Sequence, residues 1–352
     1  MAETMRAAVY YGPRDLGVET VPVPRVGPSD VLIEVRDCGI CGSDVHSYKA
    51  GMYVEPGQIM GHEFMGVAAA VGENVEGVSE GDRVTGFGLG VCGECRWCKE
   101  GQFVLCPELF RNSTGYGRPG GFAEYVLVEN AMPGTTIHKV PDELDDESAA
   151  TAEPVSVGVG AVETAEVGPG DRVVVLGAGM IGNACMQAAK AAGAESVAVV
   201  EVSPARLEIA RETGADEVFD ARGGDALEWV KELWGVGRYH FNEGGMADVV
   251  IEAAGVPRTI IQSFEMVRSS GAIVFVGLPE EPAPVDTTKL VHKQPRIFGV
   301  LGGDMGKAIE LLRTGKVRSK PLVLHRFPLE SAPEAFETQV RADEAVKVMV
   351  WV

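Results

Sequence analysis

Four cysteines lie within a short stretch of the chain and could share one metal ion. Cys92, Cys95, Cys98 and Cys106 have the spacing C-x2-C-x2-C-x7-C. Four thiolates on one loop can close around a tetrahedral Zn²⁺ and leave no position for water, so this zinc would be structural. An iron–sulfur cluster also takes four cysteines. The compact polar loop, in a sequence with no other sign of electron transfer, favours zinc over iron.

A second group of residues has the chemistry of a reactive metal site. The segment CGSDVH is followed by GHE, in which the histidine comes 21 residues after the first cysteine, and much later by AEP. A catalytic zinc needs about three protein ligands and one open position. Cys41 and His62 offer a thiolate and an imidazole for this purpose. The further candidates in these segments are Ser43, Asp44, His46, Glu63 and Glu153.

A glycine-rich turn indicates a dinucleotide site. The segment LGAGMIG places Gly177, Gly179 and Gly182 in the pattern G-x-G-x-x-G, between a predicted strand and a predicted helix. These glycines permit a tight turn, a close approach to a pyrophosphate and close packing of the helix on the strand. The start of the helix, with Met180 and Ile181, offers free N–H groups to the anion.

The end of the next strand indicates which cofactor binds. Glu201, 24 residues after Gly177, can accept hydrogen bonds from both ribose hydroxyls of the adenosine and would repel a 2′-phosphate. The sequence therefore favours NAD over NADP. Arg206 has two interpretations, because a nearby arginine can hold a 2′-phosphate or can pack on the ribose or adenine.

Together these motifs resemble one enzyme family. Their order is that of the zinc-containing medium-chain alcohol dehydrogenases, and they extend over nearly the whole chain: CGICGSDVH, GHEFMG, GDRV, the CGECRWC loop with its fourth cysteine, GGFAEYV, EPVSVG and LGAGMIG. The similarity is greatest to the polyol branch of sorbitol, butanediol and threonine dehydrogenases. The resemblance implies NAD and two zinc ions per chain.

The resemblance assigns the metal ligands. Cys41, His62 and Glu153 match the family's catalytic zinc ligands, and Glu63 matches a carboxylate that binds the metal directly or stays behind it. With Cys41, Glu63 and Glu153 all bound, three negative charges would surround a divalent cation and oppose ionisation of a bound alcohol. We therefore expect Glu63 to exchange with water or substrate.

The resemblance also implies a reaction. The substrate alcohol binds Zn²⁺, which lowers its pKa, and Ser43 accepts the proton and passes it through the nicotinamide ribose to His46. The alkoxide then gives hydride to NAD⁺, which yields an aldehyde or ketone. Asp44 matches the carboxylate that orients His62. The backbone near Val276 and Leu278 would hold the nicotinamide carboxamide.

One segment departs from the sorbitol dehydrogenases. Their Arg-aromatic pair, which contacts the polyol, is replaced here by Gly299-Val300-Leu301-Gly302-Gly303. The difference argues against sorbitol as the substrate and favours a bulkier or less hydroxylated secondary alcohol. Cys38 and Cys185 have no partner in any motif and are predicted to be core thiols.

The elements that must position these residues change in type along the chain. The first half has short alternating strands between Gly and Pro breaks, typical of a partly open barrel: Met5–Tyr11, Gly17–Val23, Val31–Asp37, Phe64–Val71, Gly81–Thr85 and Gly121–Val128. From Asp171 strands and helices alternate, which predicts a parallel α/β sheet. We expect a GroES-like catalytic domain over 1–155, a doubly wound Rossmann NAD domain over 156–294 and a return to the catalytic domain over 295–352. The active site is expected in the cleft between the domains.

Composition limits the partners. With 31 basic and 51 acidic residues the net charge is −20, which disfavours nucleic acid and anionic membranes. No apolar run is long enough to span a bilayer, and the start of the chain does not read as a signal peptide. The sequence predicts a cytoplasmic enzyme that acts on a small alcohol or ketone. A homo-oligomer is expected from the resemblance, a tetramer in preference to a dimer.

Two other functions stay open at this stage. The first is an aldehyde- or thiol-adduct-oxidising enzyme on the same scaffold, which substrate screening would distinguish. The second is a non-catalytic protein that binds NAD or senses redox state. Loss of Cys41, His62 or Ser43 would indicate the second function, and all three residues are present.

Overall fold

The structure is a computed structural model that describes residues 3–341 and 343–352. Its strands are β1 (Thr4–Gly12), β2 (Asp15–Pro22), β3 (Val31–Gly39), β4 (Gln58–Ile59), β5 (Glu63–Val71), β6 (Arg83–Gly86), β7 (Tyr125–Val128), β8 (Ile137–Lys139), β9 (Arg172–Leu176), β10 (Ser196–Glu201), β11 (Glu217–Asp220), β12 (Gly237–Tyr239), β13 (Asn242–Gly244), β14 (Ala247–Glu252), β15 (Val267–Phe275), β16 (Arg296–Gly299), β17 (Val323–Pro328) and β18 (Lys347–Trp351). Its helices are α1 (Gly42–Ala50), α2 (Arg96–Lys99), α3 (Leu109–Asn112), α4 (Asp146–Ala150), α5 (Ala152–Thr164), α6 (Met180–Ala191), α7 (Pro204–Thr213), α8 (Ala226–Trp234), α9 (Pro257–Met266), α10 (Thr287–Lys293), α11 (Met305–Arg313) and α12 (Ala332–Val340).

The chain divides into two compact units. The first extends to Glu153 and adds Ala308–Arg313 and Leu322–Val352. The second comprises Pro154–Lys307 and Thr314–Pro321. The predicted boundary at 155 lies close to this division. The predicted return at 295 comes too early, because β16 is hydrogen-bonded to β15 in the parallel sheet of the second unit.

The first unit is mostly β. One sheet has the strand order β17-β18-β3-β5-β6-β8, with β7 also paired to β3, and a second has the order β2-β1-β4. Aromatic side chains that include Phe64, Phe122 and Phe336 fill its core. The strand β18 lies antiparallel to β3, with Met349 opposite Gly39. The C-terminal segment is therefore an integral part of the first unit.

The second unit is a parallel sheet with the order β11-β10-β9-β14-β15-β16. Alternate residues of β9 enter two separate cores: Val173 and Val175 lie in one, and Val174 and Leu176 lie in the other. A sheet that is buried on both faces explains why its strands are continuous apolar runs. The strand order switches sides between β9 and β14: strands β10 and β11 are added on one side of β9, and β14 to β16 on the other. Sheets of this kind bind ligands at such a switch point. The predicted fold class is confirmed.

The local predictions differ from the structure mainly at element ends. The predicted strand Gly121–Val128 becomes regular only at Tyr125, because Gly121 donates its N–H to Gly61 in a loop contact. Within the acidic run 142–147, the side chain of Asp145 accepts the backbone N–H of Ser148 and caps α4. None of the helices in the described part of the chain combines the length and apolar character needed to cross a membrane.

Candidate active site

The site is assembled where two neighbouring strands of the first unit meet. The last residue of β3, Gly39, lies opposite Glu63, the first residue of β5. Cys41 follows β3 as the N-cap of α1, and His62 directly precedes β5. The antiparallel register therefore brings the predicted ligands together although they are far apart in sequence.

Three predicted ligands form a cluster of metal-binding atoms. Atoms of Cys41, His62 and Glu63 lie within 4.8 Å of one another. His62 and Glu63 are buried, and Cys41 is partly exposed. Sulfur, nitrogen and carboxylate oxygen are the donors that Zn²⁺ takes in proteins. The residues present therefore fit a zinc ion.

Asp44 lies beside His62. Its Oδ2 accepts the backbone N–H of Cys41 at 2.9 Å, and its Oδ1 lies 3.8 Å from Nδ1 of His62, too far for a hydrogen bond. Nδ1 is buried without a hydrogen-bond partner among the described residues. With the Asp44 carboxylate on the Nδ1 side of the ring, we expect Nε2 to be the nitrogen available to a metal. Burial lowers the pKa of His62, but the charges of Asp44, Cys41 and Glu153 outweigh it and raise the pKa to about 10. The pocket therefore favours a positive charge at this position, as a cation site requires.

Glu63 has a partner that the sequence analysis missed. The Nζ of Lys347 donates to both carboxylate oxygens of Glu63, at 2.8 and 2.5 Å, and to the carbonyl of Ile40 at 2.9 Å. The side chains of Lys347 and Glu63 are only 3% and 1% exposed. The sequence did contain a signal for this partner, since Lys347 is the one charged residue in the apolar strand β18. Its charge offsets one of the three negative charges that led us to expect exchange of Glu63.

Glu153 lies outside the cluster of three. It is half-buried in the first turn of α5, near enough that its charge raises the pKa of His62 and Tyr116. Removal from water raises the pKa of Glu153 to about 7, against the opposing effect of His62. The group of atoms within 4.8 Å of one another thus includes Glu63 and not Glu153, and the role of Glu153 as a zinc ligand stays a prediction.

An aromatic residue that the sequence analysis did not single out completes the site. The hydroxyl of Tyr116 lies 2.9 Å from Oγ of Ser43 and 3.5 Å from Nε2 of His62. Its ring stacks on the imidazole with 4.9 Å between centroids, and Phe87 and Phe110 contact it edge-on. Burial holds the pKa of Tyr116 well above its usual value. Tyr116 lies in the glycine-rich segment STGYGRPGG, which has no regular pattern that would indicate a functional residue.

His46 lies on the same helix as Ser43. It is half-buried, one turn further along α1. Its predicted part in a proton relay involves the nicotinamide ribose and stays a prediction.

The four-cysteine loop forms a second cluster of ligand atoms. The sulfurs of Cys92, Cys95, Cys98 and Cys106 lie within 4.8 Å of one another, and no disulfide joins these cysteines. Backbone N–H groups point at sulfur, with Cys95 N–H donating to Cys92 at 3.3 Å and Cys98 N–H to Cys95 at 3.5 Å. Such bonds stabilise thiolates and lower the pKa of Cys92 to about 7. A closed set of four thiolates fits a structural zinc.

The glycine turn of the second unit has room for a pyrophosphate. Gly177 has φ +97°, a conformation that favours glycine. A side chain at Gly182 would collide with the carbonyl of Gly177, whereas at Gly179 a Cβ would meet only Arg206 Nη1, at 3.8 Å. Gly179 is the N-cap of α6, whose first residues are Met180 and Ile181. This open helix N-terminus fits a dinucleotide.

Glu201 is already bonded within this loop. Its Oε2 accepts the N–H of Ala178 at 2.8 Å, and its Oε1 accepts those of Val202 and Ser203 at 2.6 and 3.0 Å. Arg206 lies 3.9 Å from the carboxylate. The two residues predicted to contact the adenosine ribose are therefore adjacent.

The other predicted residues of the second unit lie beside the ends of β14 and β15. Val276 donates its N–H to Glu252, and Leu278 is exposed. Gly303 of the GVLGG segment has a packing role, because a side chain there would collide with the backbone of α5 at Ser156, whereas a Cβ at Gly299 would meet nothing within 4 Å. Close helix packing therefore accounts for Gly303, independently of any pocket.

Comparisons with known proteins agree with this architecture. Residues 27–142 match the alcohol dehydrogenase GroES-like domain, and residues 181–314 match the zinc-binding dehydrogenase domain. The chain is 36% identical to sorbitol dehydrogenase of Bacillus subtilis (strain 168), over 99% of this chain and 98% of that protein. It is 33% identical to L-idonate 5-dehydrogenase of Vitis vinifera, over 99% and 94%.

Solved structures superpose over the full chain. The 2R,3R-butanediol dehydrogenase of Bacillus subtilis has a TM-score of 0.86 and 31% identity over 99% of both chains. A zinc-binding dehydrogenase of Sinorhizobium meliloti 1021 bound to NADP has a TM-score of 0.89 and 30% identity over 100% of both. An alcohol dehydrogenase of Escherichia coli CFT073 complexed with NADH has a TM-score of 0.89 and 26% identity over 100% of both.

The two-unit fold and the Cys-His-Glu cluster define a metal-dependent dehydrogenase. The chain belongs to the zinc-containing medium-chain alcohol dehydrogenase family, in its polyol dehydrogenase branch. It is therefore an enzyme, an oxidoreductase.

Proposed function

We propose that this enzyme oxidises a secondary alcohol, diol or sugar polyol to a ketone, reversibly, with NAD as the hydride acceptor. The observation that carries the proposal is the cluster of Cys41 with the buried His62 and Glu63. The hydroxyl of Ser43 is linked to His62 through the hydroxyl of Tyr116. The sorbitol, idonate and butanediol dehydrogenases among its relatives support a polyhydroxy substrate.

Cys41 and His62, together with Glu63 or Glu153, would hold the catalytic zinc, and the four-cysteine loop a second zinc. When bound, the catalytic zinc supplies a Lewis acid that makes an alcohol easier to ionise, and the nicotinamide supplies the hydride acceptor. Asp44 keeps Nε2 of His62 directed at the metal site. Lys347 holds Glu63 by both carboxylate oxygens.

Ser43 is the proposed first proton acceptor. Its Oγ is anchored by Tyr116 at 2.9 Å, so its lone pairs have a fixed direction. Phe87 and Phe110 pack around Tyr116 and would limit the access of water. His46, one turn along α1, would deliver the proton to solvent.

The acidic side chain of Glu201 supports NAD as the preferred cofactor. A carboxylate repels a 2′-phosphate, although Arg206 lies only 3.9 Å away. Gly177, Gly179 and Gly182 would hold the pyrophosphate. We expect kcat/KM for NAD⁺ to exceed that for NADP⁺ at least about tenfold, and preference for NADP⁺ would contradict this assignment.

The proposal is tested with a substrate panel. NADH formation is followed with secondary alcohols, diols, polyols and threonine, on protein of measured zinc content. Activity with a secondary alcohol or polyol supports the proposal. Activity only with aldehydes or thiol adducts would overturn it, as would silence across the panel with the zinc sites filled.

Location and assembly are proposed on narrower grounds. All seven cysteines are free thiols, which suits the reducing cytoplasm. We expect a homo-oligomer, and a tetramer in preference to a dimer, by analogy with the family. Light scattering during size-exclusion chromatography measures the mass, and a monomer would contradict the expectation.

A further inference from the structure

Tyr116 has a hydroxyl group inside the candidate active site that the proposed reaction does not use. The side chain is nearly buried, with 8% exposed. Its hydroxyl contacts Oγ of Ser43 at 2.9 Å and Nε2 of His62 at 3.5 Å. Because it touches both the proposed proton acceptor and a proposed metal ligand, it lies where substrate oxygens must bind. Any role of this hydroxyl in substrate binding rests on the proposed function.

Metal binding would change the partners of this hydroxyl. A metal takes the lone pair of Nε2, so the contact between His62 and Tyr116 could no longer be a hydrogen bond. Ser43 would then be the one partner left of the two. The rings of Phe87 and Phe110, packed against Tyr116, offer no polar replacement. The hydroxyl would keep its hydrogen bond to Ser43, and its remaining hydrogen-bonding capacity would be available to a substrate oxygen.

The ring of Tyr116 is held firmly enough to select a substrate. It stacks on His62 at an interplanar angle of 28°, while Phe110 contacts it at 68° and Phe87 at 89°. Rings packed on several sides keep the hydroxyl in one place, and fixed polar groups discriminate between substrates better than mobile ones.

We infer that Tyr116 is a specificity-determining residue whose hydroxyl binds a second substrate oxygen, on the carbon next to the one that is oxidised. Ser43 takes the proton of the reacting hydroxyl, and Tyr116 binds its neighbour. The two side-chain oxygens are one hydrogen-bond length apart, which matches the spacing of neighbouring hydroxyls in a vicinal diol. The favoured substrates would therefore be vicinal diols and polyols and, in reverse, α-hydroxy ketones.

The test compares two alcohols that differ by one hydroxyl, 2,3-butanediol and 2-butanol. The zinc-loaded wild-type enzyme should have the higher kcat/KM for the diol. Tyr116→Phe keeps the ring and should reduce the diol-to-alcohol ratio of kcat/KM about tenfold to a hundredfold, mainly through a higher KM for the diol. Tyr53→Phe is the matched control, because its ring also packs on Phe110, and its ratio should equal that of wild type.

A binding measurement separates recognition from turnover. Calorimetry of 3-hydroxy-2-butanone and of butanone with the enzyme–NAD⁺ complex should show tighter binding of the hydroxy ketone, and Tyr116→Phe should lose that preference with unchanged zinc content. The inference would be overturned if Tyr116→Phe lost kcat/KM equally with both alcohols. It would also be overturned if the wild-type enzyme showed no preference for the diol. The second result needs no variant, so the test does not depend on folding of Tyr116→Phe. No turnover of either alcohol or any other panel substrate would instead overturn the proposed function, and this inference with it.

Discussion

Lys347 forms a buried ion pair with Glu63. Removing one partner of a buried ion pair leaves an uncompensated charge, which costs about 3–5 kcal/mol. We therefore expect Lys347→Met to lower the free energy of unfolding by this amount in the metal-free protein. Bound zinc should reduce the loss, since Glu63 could then bind the metal. Urea unfolding with chelator and with zinc measures both values.

Lys347→Arg is the control for charge. It keeps the positive charge and should be closer to wild type than Lys347→Met in both conditions. A Lys347→Met protein as stable as wild type without zinc would show that the ion pair does not stabilise the fold.

Asp37 links stability to pH. Burial raises its pKa from 3.8 to about 6, although Arg326 at 2.6 Å opposes the shift. A carboxyl whose pKa is higher in the folded state binds its proton more tightly there. Its contribution to stability is therefore present below pH 3.8 and is lost as the pH rises from about 4 to 6. Asp37→Asn should remove this loss. The free energy of unfolding of the variant should therefore rise relative to that of wild type by about 1–3 kcal/mol between pH 4 and pH 6. Parallel pH profiles for the two proteins would contradict the assignment.

At the residue scale the sequence indicated the candidate ligands but not the side chains that surround them. The types and spacing of Cys41, His62 and the four cysteines carry their chemistry in the sequence itself. Tyr116 and Lys347 come from loops or strands far along the chain, and only tertiary packing brings them to the site. Local patterns contain no information on such contacts.

At the scale of elements, the four-cysteine loop depends on its metal. Its small core consists largely of the cysteines and a few apolar neighbours such as Leu109 and Phe103, which is too little to fold a loop alone. We expect Cys98→Ser to reduce the zinc content from about two to about one per chain and to make the loop sensitive to protease. Elemental analysis and limited proteolysis check this. Cys185→Ser, a buried thiol outside both clusters, should retain all zinc; full zinc retention in Cys98→Ser would contradict a four-thiolate site.

Elements with a strong period agree with the predictions, whereas two elements near the C-terminus, α12 and β17, were not predicted. The alternating strands of the first unit and the βα repeats of the second match the structure closely. α12 was missed although Pro333 lies at its start, and β17 was missed because VLHRFP alternates weakly. Both are stabilised by packing on β18 and its neighbours, which local propensity does not reflect.

At the scale of the whole molecule, charge should make stability depend on salt. A net charge of −20 produces self-repulsion in the compact state, and salt screens it. We expect Tm to rise by roughly 2–5 °C between about 0.02 and 0.5 M sodium chloride, as measured by calorimetry. If Tm rose equally in uncharged sucrose of matched osmolality, the effect would come from exclusion of the solute from the protein surface, which would contradict the role of charge.

The proposed activity of the whole molecule depends on zinc bound at Cys41. The most direct measurement is the zinc content and NAD⁺-dependent oxidation rate of wild type, Cys41→Ser and Cys38→Ser, the last being a neighbouring buried cysteine outside the cluster. We predict about two zinc ions per chain in wild type and Cys38→Ser. Cys41→Ser should retain about one and lose activity about a thousandfold or more. A Cys41→Ser protein with full zinc content and wild-type rates would contradict the account.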